Sequence, residues 1–403
     1  MKKGAIMKIM IKSGSLRMGG LERTLIEVLQ LLDKNKYNIT LIIDDNSGKE
    51  NIFEKDIPKE IKYYFLKSNK LIRYIDYFRR KKSNVLYKIL YNIAMIFEKY
   101  VCIKKLKNII KNDGKFELFI DFDAGAAKYI DKISIDRKIV WIHNSIPNLK
   151  KKKSKILRFM KRIEKYDKIV AICDEMKEEL KSLSPDLKEK IIRIYNPFDF
   201  DRILKLKDDK SELTDEEIKL LNDDYCVAVS RLDTVQKDYN TLIIGFKKLY
   251  EKGFDKKLYI IGDGPNKLEI AKLVKENCLD DKVKLLGRFK NPYVWINNSS
   301  LFIHSSKYEG FGLVLVEAGI LDKLVVSSDC HVGPKEILEN GKSGVLFKTE
   351  DADDLVQKIL YIDENKKESC INNMRKNIHR FDKNIIIKEI ENLIDSMGEK
   401  CEY

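Results

Sequence analysis

The stretch that decides the fold is residues 305–318, which read SSKYEGFGLVLVEA and follow an apolar segment, SLFIH, at residues 300–304. The apolar segment predicts a buried strand, and the apolar run after Gly312 predicts a helix that ends near Leu321. Gly310 and Gly312 lie in the loop between them, where glycine permits unusual backbone angles and the close approach of a ligand. The first N–H groups of a helix have no intrahelical partner, so the helix start favours an anion such as a diphosphate.

Two carboxylates bracket this loop. Glu309 precedes the helix and Glu317 lies a little over one turn inside it, which separates them by about 10 Å at roughly 1.5 Å per residue. This separation suits a ligand that carries hydroxyl groups on both sides of a diphosphate, which is the layout of a nucleotide sugar. The alternative is an ordinary strand–loop–helix unit, in which Glu309 is solvated and Glu317 lies on the flank of a helix.

The same stretch resembles the donor-site motif of the group 1 family of retaining glycosyltransferases, which have the GT-B fold. The resemblance continues through residues 325–338, VVSSDCHVGPKEIL, which are similar to members that build bacterial surface polysaccharides and lipid-linked oligosaccharides. It covers most of the second half of the chain, whereas the first half matches more loosely. The resemblance implies that Glu309 orients the transferred sugar and that Glu317 holds the ribose. It also implies donor contacts from the residues between them, namely Gly310, Phe311, Gly312 and Leu313.

The family's architecture consists of two doubly wound, Rossmann-like α/β domains that face a cleft. A chain of 403 residues with 44% hydrophobic residues is long and apolar enough for two packed cores. We expect an acceptor-side domain over residues 1–198 and a nucleotide-sugar-binding domain over residues 199–380. A last helix, within residues 381–403, is expected to pack back on the first domain.

The charge, apolar stretches and cysteine content of the chain limit which partners and which cellular compartment are expected. The net charge of +15 admits nucleic acid, an anionic membrane surface or an anionic substrate as partners. No uncharged apolar stretch of about 20 residues is present, so a membrane-spanning helix is not expected. Residues 1–12 fit a first strand better than a signal peptide, because Lys8 and Lys12 interrupt the apolar residues. Seven scattered cysteines without a Cys-x-x-Cys pair argue against a disulfide framework and predict the reducing cytoplasm.

Two basic segments suggest contact with a membrane. Residues 67–111 predict a long helical region in which aromatic and basic residues alternate, and residues 150–162, KKKKSKILRFMKR, combine cations with one apolar stripe. Such helices are typical of membrane interfaces, although a solvated helix face is the alternative for the first segment. Nucleic acid is the competing partner for the second segment, but no nucleic-acid fold signature accompanies it. We therefore expect peripheral association with the anionic inner face of the cell membrane and no nucleic-acid partner.

The first domain offers a glycine loop and a histidine. Gly19 and Gly20 precede a predicted helix at residues 21–32, and a tight turn is the alternative reading of this pair. The family's equivalent loop faces the donor diphosphate and the acceptor, which implies a site role for both glycines and for Arg23. His143 ends an apolar strand, at the sheet edge where open α/β sheets bind ligands. The family also carries a histidine there, close to the transferred sugar.

One motif of the first domain matches a metal-binding pattern from another glycosyltransferase fold. Asp121, Phe122 and Asp123 have the Asp-x-Asp form, which binds a divalent cation in that fold. No second carboxylate cluster accompanies the motif to complete a site for a hard cation. We therefore expect no metal and no cofactor.

The second domain begins with a strand at residues 225–230, followed by a loop that carries Arg231 and Lys237. Two cations at the carboxyl end of a strand suit a departing diphosphate, and the family's Arg and Lys pair occupies this place. The alternative is a basic loop on a very basic protein. Later donor contacts are expected at Gly262, where the backbone approaches the nucleotide, and at Arg288 and Phe289, in the loop that reads the base in relatives.

These features and the resemblance to the group 1 family together predict a metal-independent glycosyltransferase, and the resemblance implies that it retains the anomeric configuration. It would move a hexose or N-acetylhexosamine from a nucleoside-diphosphate sugar, UDP-linked, to a hydroxyl of a membrane-anchored saccharide in cell-surface polysaccharide biosynthesis. Arg231, Lys237, Glu309 and His143 would be the catalytic residues. One alternative keeps the fold and changes the chemistry to that of a nucleotide-sugar epimerase or a phosphorylase. The other is a non-catalytic binder of membrane or nucleic acid.

Overall fold

The computed structural model describes residues 6–398. Residues 1–5, which belong to the predicted first strand segment, and residues 399–403, at the end of the predicted last domain, lie outside the described part. The chain divides into two compact units. Within the described residues, unit 1 comprises residues 6–172, 177–198 and 383–398, and unit 2 comprises residues 173–176 and 199–382.

Unit 1 contains a sheet of seven parallel strands in the order β3-β2-β1-β4-β5-β6-β7. The strands are β1 (Met7–Ser13), β2 (Tyr37–Asp45), β3 (Lys62–Lys67), β4 (Leu118–Asp121), β5 (Arg137–Ile142), β6 (Lys168–Ala171) and β7 (Ile191–Arg193). The helices are α1 (Gly20–Leu31), α2 (Asn69–Arg80), α3 (Val85–Asp113), α4 (Ile146–Leu149), α5 (Lys153–Ile163) and α6 (Asp174–Leu183), the last of which begins in unit 2. Central strands such as β4 are buried throughout, as expected for parallel strands covered by helices on both faces.

Unit 2 contains a sheet of six parallel strands in the order β10-β9-β8-β11-β12-β13. The strands are β8 (Tyr225–Val229), β9 (Lys257–Ile261), β10 (Val283–Gly287), β11 (Leu301–His304), β12 (Val325–Ser328) and β13 (Val345–Phe347). The helices are α7 (Phe200–Leu206), α8 (Asp215–Leu220), α9 (Tyr239–Glu251), α10 (Lys267–Glu276), α11 (Tyr293–Asn298), α12 (Leu313–Ile320), α13 (Pro334–Ile337), α14 (Ala352–Leu360) and α15 (Glu364–Asn377). The predicted α/β fold with two doubly wound sheets is confirmed.

The last helix, α16 (Lys383–Gly398), belongs to unit 1, where it packs against α1 and β4. Tyr37 at the start of β2 donates a hydrogen bond of 2.5 Å to Asp395, and the Asp33 backbone N–H donates to Glu391 at 3.0 Å. These bonds tie the end of the chain to the first βαβ unit of the sheet.

Each sheet reverses its strand order at one point, and ligands of open α/β sheets bind there, beyond the carboxyl ends of the strands. In unit 1 the reversal lies between β1 and β4, and in unit 2 it lies between β8 and β11. The carboxyl ends of these four strands and the segments that follow them contain most of the residues singled out from the sequence: Gly19 and Gly20, Asp121 and Asp123, Arg231 and Lys237, and residues 305–312.

The prediction for the basic block at residues 150–162 is wrong in one respect. The helix begins at Lys153, and its apolar side chains Phe159, Met160 and Ile163 are buried in unit 1. The stripe therefore completes the protein core and is not available to lipid; among the predicted apolar set only Leu157 is largely exposed. No helix of residues 6–398 combines the length and the apolar composition needed to cross a bilayer.

Candidate functional site

The loop between β11 and α12 is shaped by glycine. Gly312 precedes the first residue of α12 and has φ +97°, a left-handed conformation that side-chain-bearing residues rarely adopt. Gly333, in the loop after β12, has φ +103°, and a Cβ there would lie 2.0 Å from the carbonyl oxygen of Phe311. The two loops are therefore in backbone contact, which leaves the N-terminus of α12 at the carboxyl edge of the sheet. The predicted start of this helix agrees with the structure to within one residue.

Glu309 is the most heavily hydrogen-bonded carboxylate of this loop. One oxygen, Oε1, accepts hydrogen bonds from Lys237 Nζ, from Ser306 Oγ at 2.7 Å and from His304 Nε2 at 3.1 Å. The other oxygen, Oε2, accepts a bond of 3.2 Å from Gln236 Nε2. The side chain is buried. Four donors thus fix the orientation of one carboxylate.

The electrostatics of this cluster fix its protonation state. Burial alone would raise the pKa of Glu309, but Lys237 and the hydrogen bond from His304 outweigh it and hold that pKa far below the ordinary value. Burial and the nearby Lys237 charge lower the pKa of His304. At neutral pH Glu309 is therefore an anion and His304 is neutral. Because a carboxylate only accepts hydrogen bonds, we assign the proton of the neutral imidazole to Nε2.

Lys237 and Arg231 come from the loop that follows β8. The backbone of Lys237 forms an isolated antiparallel bridge with Ser306, and its ammonium group donates to Glu309. Arg231 is exposed, and its guanidinium has no hydrogen-bond or ion-pair partner among residues 6–398. Because β8 and β11 are neighbours in the sheet, one loop supplies the cations and the other supplies the carboxylate.

Glu317 lies on α12 and is buried. Its Oε1 accepts a hydrogen bond of 3.1 Å from the hydroxyl of Tyr293, at the start of α11. Tyr293 is itself fully buried, and its backbone N–H is bonded to Asn291 Oδ1 at 3.2 Å. Two helices therefore hold this carboxylate, whereas two loops hold Glu309.

The structure shows why a glycine occupies position 262. It has φ +146°, and a Cβ there would lie 1.9 Å from the backbone oxygen of Ser230. The loops after β8 and β9 thus touch through their backbones. Arg288 is exposed in the loop after β10, and the Phe289 ring packs on buried Trp295 with centroids 5.3 Å apart. Both therefore lie at the same edge of the unit 2 sheet as the Lys237 loop.

Unit 1 has a polar cavity of about 270 Å³ at its own point of strand reversal. A Cβ on Gly19 would lie 2.3 Å from Glu22 Oε2, and one on Gly14 would lie 2.7 Å from Asp123 Oδ2, so these glycines let carboxylates approach the backbone closely. Ser15 donates a hydrogen bond of 2.5 Å to Glu22. The residues that line the cavity are Gly14, Ser15, Leu21, Glu22, Asp44, Asp45, Lys67 and Asp123.

Lys12 lies below this cavity and is completely buried. Its Nζ lies 2.9 Å from Asp123 Oδ1, 3.0 Å from Asp44 Oδ2 and 3.9 Å from Asp121 Oδ1. Burial opposes the charge on Lys12, but these carboxylates raise its pKa well above the ordinary value. Burial raises the pKa of Asp121 to about 7, and its Oδ2 accepts a bond of 2.6 Å from Tyr166. The Asp-x-Asp motif thus contributes to a buried ion-pair cluster. Among residues 6–398 no group of three or more His, Cys, Asp or Glu side chains has the arrangement of a metal site.

His143 follows β5 in unit 1, and its ring packs against Phe122 with centroids 4.9 Å apart. Burial lowers its pKa to about 4, so the imidazole is neutral at physiological pH. Its Nε2 is buried and has no hydrogen-bond partner within residues 6–398. A buried nitrogen without a partner is uncommon in proteins.

Sequence reasoning did not identify several residues that complete these clusters. His304 and Ser306 support Glu309, Tyr293 supports Glu317, and Glu22 and Lys12 line or support the unit 1 cavity. A signal existed for His304 and Lys12, because each is a polar residue inside an otherwise apolar strand. Ser306, Tyr293 and Glu22 have no such signal, since their neighbours are fixed only by tertiary packing.

The second half of the chain matches a known family. Residues 209–379 match the family model described as glycosyl transferases group 1. An uncharacterised glycosyltransferase of Methanocaldococcus jannaschii is 34% identical over 215 residues, 52% of each chain. A Campylobacter jejuni protein is 32% identical over 165 residues, 40% of this chain and 44% of that one. It is named N-acetylgalactosamine-N,N'-diacetylbacillosaminyl-diphospho-undecaprenol 4-alpha-N-acetylgalactosaminyltransferase. The chain thus spans about half the length of these curated relatives.

Solved structures resemble the whole chain in fold. Anabaena HepE in complex with UDP-glucose superposes with a TM-score of 0.74 over 97% of this chain and 100% of that one, at 18% sequence identity. This likeness agrees with the two parallel sheets and assigns the GT-B architecture. The family match and the fold lead to one conclusion: residues 209–379 match the glycosyl transferases group 1 family, and they lie within a chain that has the GT-B fold.

Proposed function

We propose that the protein is a retaining glycosyltransferase that moves a hexose or N-acetylhexosamine from a UDP-linked sugar to a hydroxyl of a lipid-linked saccharide. The observation that carries this proposal is the Lys237–Glu309 pair, which joins the loops on both sides of the strand reversal in unit 2. The pair brings a cation suited to a diphosphate next to a carboxylate suited to sugar hydroxyls. The family match and the UDP-glucose complex of Anabaena HepE support the choice of donor.

The donor would bind unit 2 through three sources of positive potential. Arg231 has no partner among residues 6–398, so its guanidinium is available for bidentate contact with a phosphate. Lys237 supplies a compact charge, and the N-terminus of α12 supplies unpaired N–H groups. Glu317, fixed by Tyr293, would accept the ribose hydroxyls.

In the proposed reaction, stabilisation of the negative charge on the leaving group contributes more than covalent catalysis. When the bond between the anomeric carbon and the diphosphate breaks, negative charge develops on the leaving oxygen, where fixed cations lower the barrier. Glu309 is a poor candidate for a nucleophile, because its low pKa and four hydrogen bonds reduce its basicity. Its role is to orient the sugar. The acceptor hydroxyl then attacks the face from which the diphosphate departs, gives its proton to a departing phosphate oxygen, and retains the anomeric configuration.

The acceptor saccharide would bind the unit 1 cavity. Asp44 is buried, and its Oδ1 has no hydrogen-bond partner within the described residues, so it can accept a bond from a ligand hydroxyl. Glu22, Asp45 and Asp123 add further acceptors, and Lys67 is the only cation among the lining residues. Such a lining favours a neutral or amine-bearing sugar over a phosphate. The name of the Campylobacter jejuni relative contains diphospho-undecaprenol, which supports a lipid-linked saccharide as the acceptor. The inner membrane face as the place of the reaction is part of the proposal.

The test is product analysis with a panel of nucleoside-diphosphate sugars, each incubated with and without a lipid-linked disaccharide. A transferase gives a longer saccharide and free UDP only when both substrates are present. Epimerised nucleotide sugar without acceptor, or a sugar 1-phosphate formed from inorganic phosphate, would replace the proposal with an epimerase or a phosphorylase. Binding of no nucleotide sugar would leave a non-catalytic binder.

A further inference from the structure

The helical hairpin formed by α2 and α3 leaves an apolar surface exposed. No residue of α2 is buried, and the buried residues of α3 (Glu98, Cys102, Leu106 and Ile109) all lie between its middle and its C-terminal end. The main packing partners of α3 are α2 and β3. Residues 69–97 therefore extend beyond the core of unit 1.

The exposed apolar residues form a stripe along α3. Leu86, Ile89, Ile93, Ile96 and Tyr100 are spaced three or four residues apart, which places them on one face of the helix, and Val85 and Phe97 are adjacent in sequence to members of this row. The most exposed of them are Val85 at 73%, Ile96 at 71% and Leu86 at 61%. The full exposed set on the hairpin is Tyr74, Tyr77, Val85, Leu86, Ile89, Ile93, Ile96, Phe97 and Tyr100. A contiguous apolar patch of this kind marks an interaction surface.

The same hairpin concentrates the positive charge of the protein. Residues 69–113 contain twelve Lys and Arg against three Asp and Glu, a net charge of +9, whereas the whole chain carries +15. The three acidic groups are already paired: Asp76 with Arg79, Glu98 with Lys67 and Lys128, and Asp113 with Lys62. The surplus cations of the hairpin are therefore directed to solvent or to a partner.

The hairpin tip and flank add features suited to an interface. At the tip, Lys81 Nζ lies 4.4 Å from the Tyr77 ring centre and 5.2 Å from that of Tyr87. The cation and both rings, together with the contact between the Phe78 and Tyr87 rings, hold α2 and α3 together at the tip. Along α2 runs a largely apolar groove of about 630 Å³. Its lining residues are Asn69, Lys70, Arg73, Tyr74, Tyr77 and Phe78, so two cations border apolar and aromatic walls.

We infer that the α2–α3 hairpin docks on an anionic lipid bilayer. Its aliphatic stripe enters the boundary between headgroups and acyl chains, while Tyr side chains and surplus cations contact the headgroups. The groove along α2 accommodates an acyl chain or headgroup bordered by Lys70 and Arg73. The α5 segment contributes mainly charge, since Phe159, Met160 and Ile163 are buried and Leu157 is the one largely exposed apolar side chain of this helix. The role of this docking, bringing the site to lipid-linked acceptors, rests on the proposed function; the docking itself does not.

Charge and side-chain chemistry favour this partner over the others. A second copy of the chain would bring one +9 surface against another, which is repulsive. Nucleic acid is bound by cations and aromatic rings, whereas five of the exposed residues, Val85, Leu86, Ile89, Ile93 and Ile96, are aliphatic and cannot stack on bases. An anionic bilayer satisfies both the cations and the aliphatic stripe.

The experiment is co-sedimentation of the full chain, without nucleotide sugar, with phosphatidylcholine vesicles that contain about one-third phosphatidylglycerol. Two hairpin variants are compared: Ile89→Ser with Ile93→Ser and Ile96→Ser, and Arg79→Gln with Arg80→Gln, Lys81→Gln and Lys82→Gln. The matched control replaces Lys151, Lys152, Lys153 and Lys155 by Gln. It removes the same number of positive charges as the hairpin-charge variant, but from the α5 segment. Circular dichroism confirms that each variant is folded.

We expect each hairpin variant to reduce the partition coefficient at least tenfold and the α5 control to reduce it less than threefold. An Ile93→Trp variant should show a blue-shifted emission with anionic vesicles. Equal losses in the hairpin-charge and α5 variants would mean that only net charge matters, and an unshifted Trp emission would mean that the stripe stays in water; either result overturns the inference. So would a dimer in lipid-free buffer that the Ile variant dissociates, or binding of RNA that the Ile variant also loses.

Vesicle binding and transfer can fail separately. A hairpin variant should keep its turnover on a soluble, lipid-free acceptor, because its substitutions lie outside both polar clusters. Binding of vesicles by a chain that transfers no sugar would leave the docking surface in place and remove only the proposed function. Transfer to a lipid-linked acceptor by a chain that binds no vesicles would leave the proposed function in place and remove the docking surface.

Discussion

The ammonium group of Lys237 donates a hydrogen bond to the carboxylate of Glu309, and both side chains are buried. Their two loops follow β8 and β11, the adjacent strands at which the unit 2 sheet reverses its order. The pair links the cation proposed for the diphosphate with the carboxylate proposed for the sugar. A change at one residue therefore removes the charged partner of the other, and variants of the two residues must be interpreted together.

Glu317→Ala should weaken UDP binding. A hydrogen bond between a carboxylate and a hydroxyl contributes on the order of 1.5–3 kcal/mol, or roughly ten- to a hundredfold in affinity. Calorimetric titration with UDP measures this, because UDP contains the ribose but no hexose. The Tyr293→Phe variant loses the hydrogen bond from Tyr293 to Glu317, so its affinity for UDP should fall by a smaller factor than that of Glu317→Ala. Unchanged UDP affinity in Glu317→Ala would remove that residue from the ribose.

Glu309→Gln should leave UDP affinity nearly unchanged and lower turnover, because the residue is assigned to the hexose. The variant keeps the side-chain volume but loses the charge that pairs with Lys237. We expect the ratio of the UDP-sugar and UDP affinities to fall, and transfer to fall by tenfold or more. A large loss of UDP affinity with normal turnover would place Glu309 on the nucleotide side.

Arg231→Ala and Lys237→Ala should each lower turnover about a hundredfold, as expected when a group that stabilises developing charge is lost. The two should differ in stability. Arg231 is exposed, so its loss should change the free energy of unfolding by less than about 0.5 kcal/mol. Loss of Lys237 leaves Glu309 buried without its cation and should cost about 3–5 kcal/mol.

Turnover in excess EDTA tests whether the two side chains, and not a bound metal ion, supply the positive charge. Because Arg231 and Lys237 are proposed to supply the positive charge, turnover should persist in the chelator. A loss that magnesium or manganese restores would mean that a metal neutralises the diphosphate, and would contradict the role assigned to the two side chains.

His143 should make stability depend on pH. Its pKa is about 4 in the folded protein and about 6.5 in the unfolded chain, so the unfolded state binds more protons between these values. Stability should therefore fall as pH falls from 6.5 to 4, by up to about 3 kcal/mol from this residue. The His143→Gln variant should lose that part of the slope in thermal unfolding. It should retain the part from His304, whose pKa is also lowered. Identical slopes in both proteins would contradict the lowered pKa of His143.

Local patterns predicted much of the fold and the positions of the loops. Alternation of apolar strands with helices gave the two doubly wound sheets, because period and turn residues are local properties. The break inside residues 67–111 also had a local signal, since Ser68 and Asn84 cap the two helices that the structure has there. The sequence pattern placed Glu309 in a loop before a helix, and that position agrees with the structure.

Tertiary neighbours could not be predicted in the same way. The apolar stripe of α5 has the same helical period whether it faces lipid or the protein, and only the fold shows that Phe159 and Met160 are buried. The donors to Glu309 come from the end of β11 and from the loops after β8 and β11, so spacing along the chain gave no indication of Gln236, and the polar position of His304 in an apolar strand did not reveal its partner. The carboxylate lining of the unit 1 cavity likewise depends on residues as far apart as Glu22 and Asp123.

The most direct test of the account is the anomeric outcome of transfer, measured by NMR on the product formed from a UDP-α-sugar and a lipid-linked or soluble saccharide acceptor. The account predicts an acceptor-dependent product with an α-linkage, formed by the wild type and reduced about a hundredfold in Arg231→Ala. A β-linked product would contradict same-face attack. Consumption of the nucleotide sugar without any acceptor-linked product would contradict the assignment as a transferase.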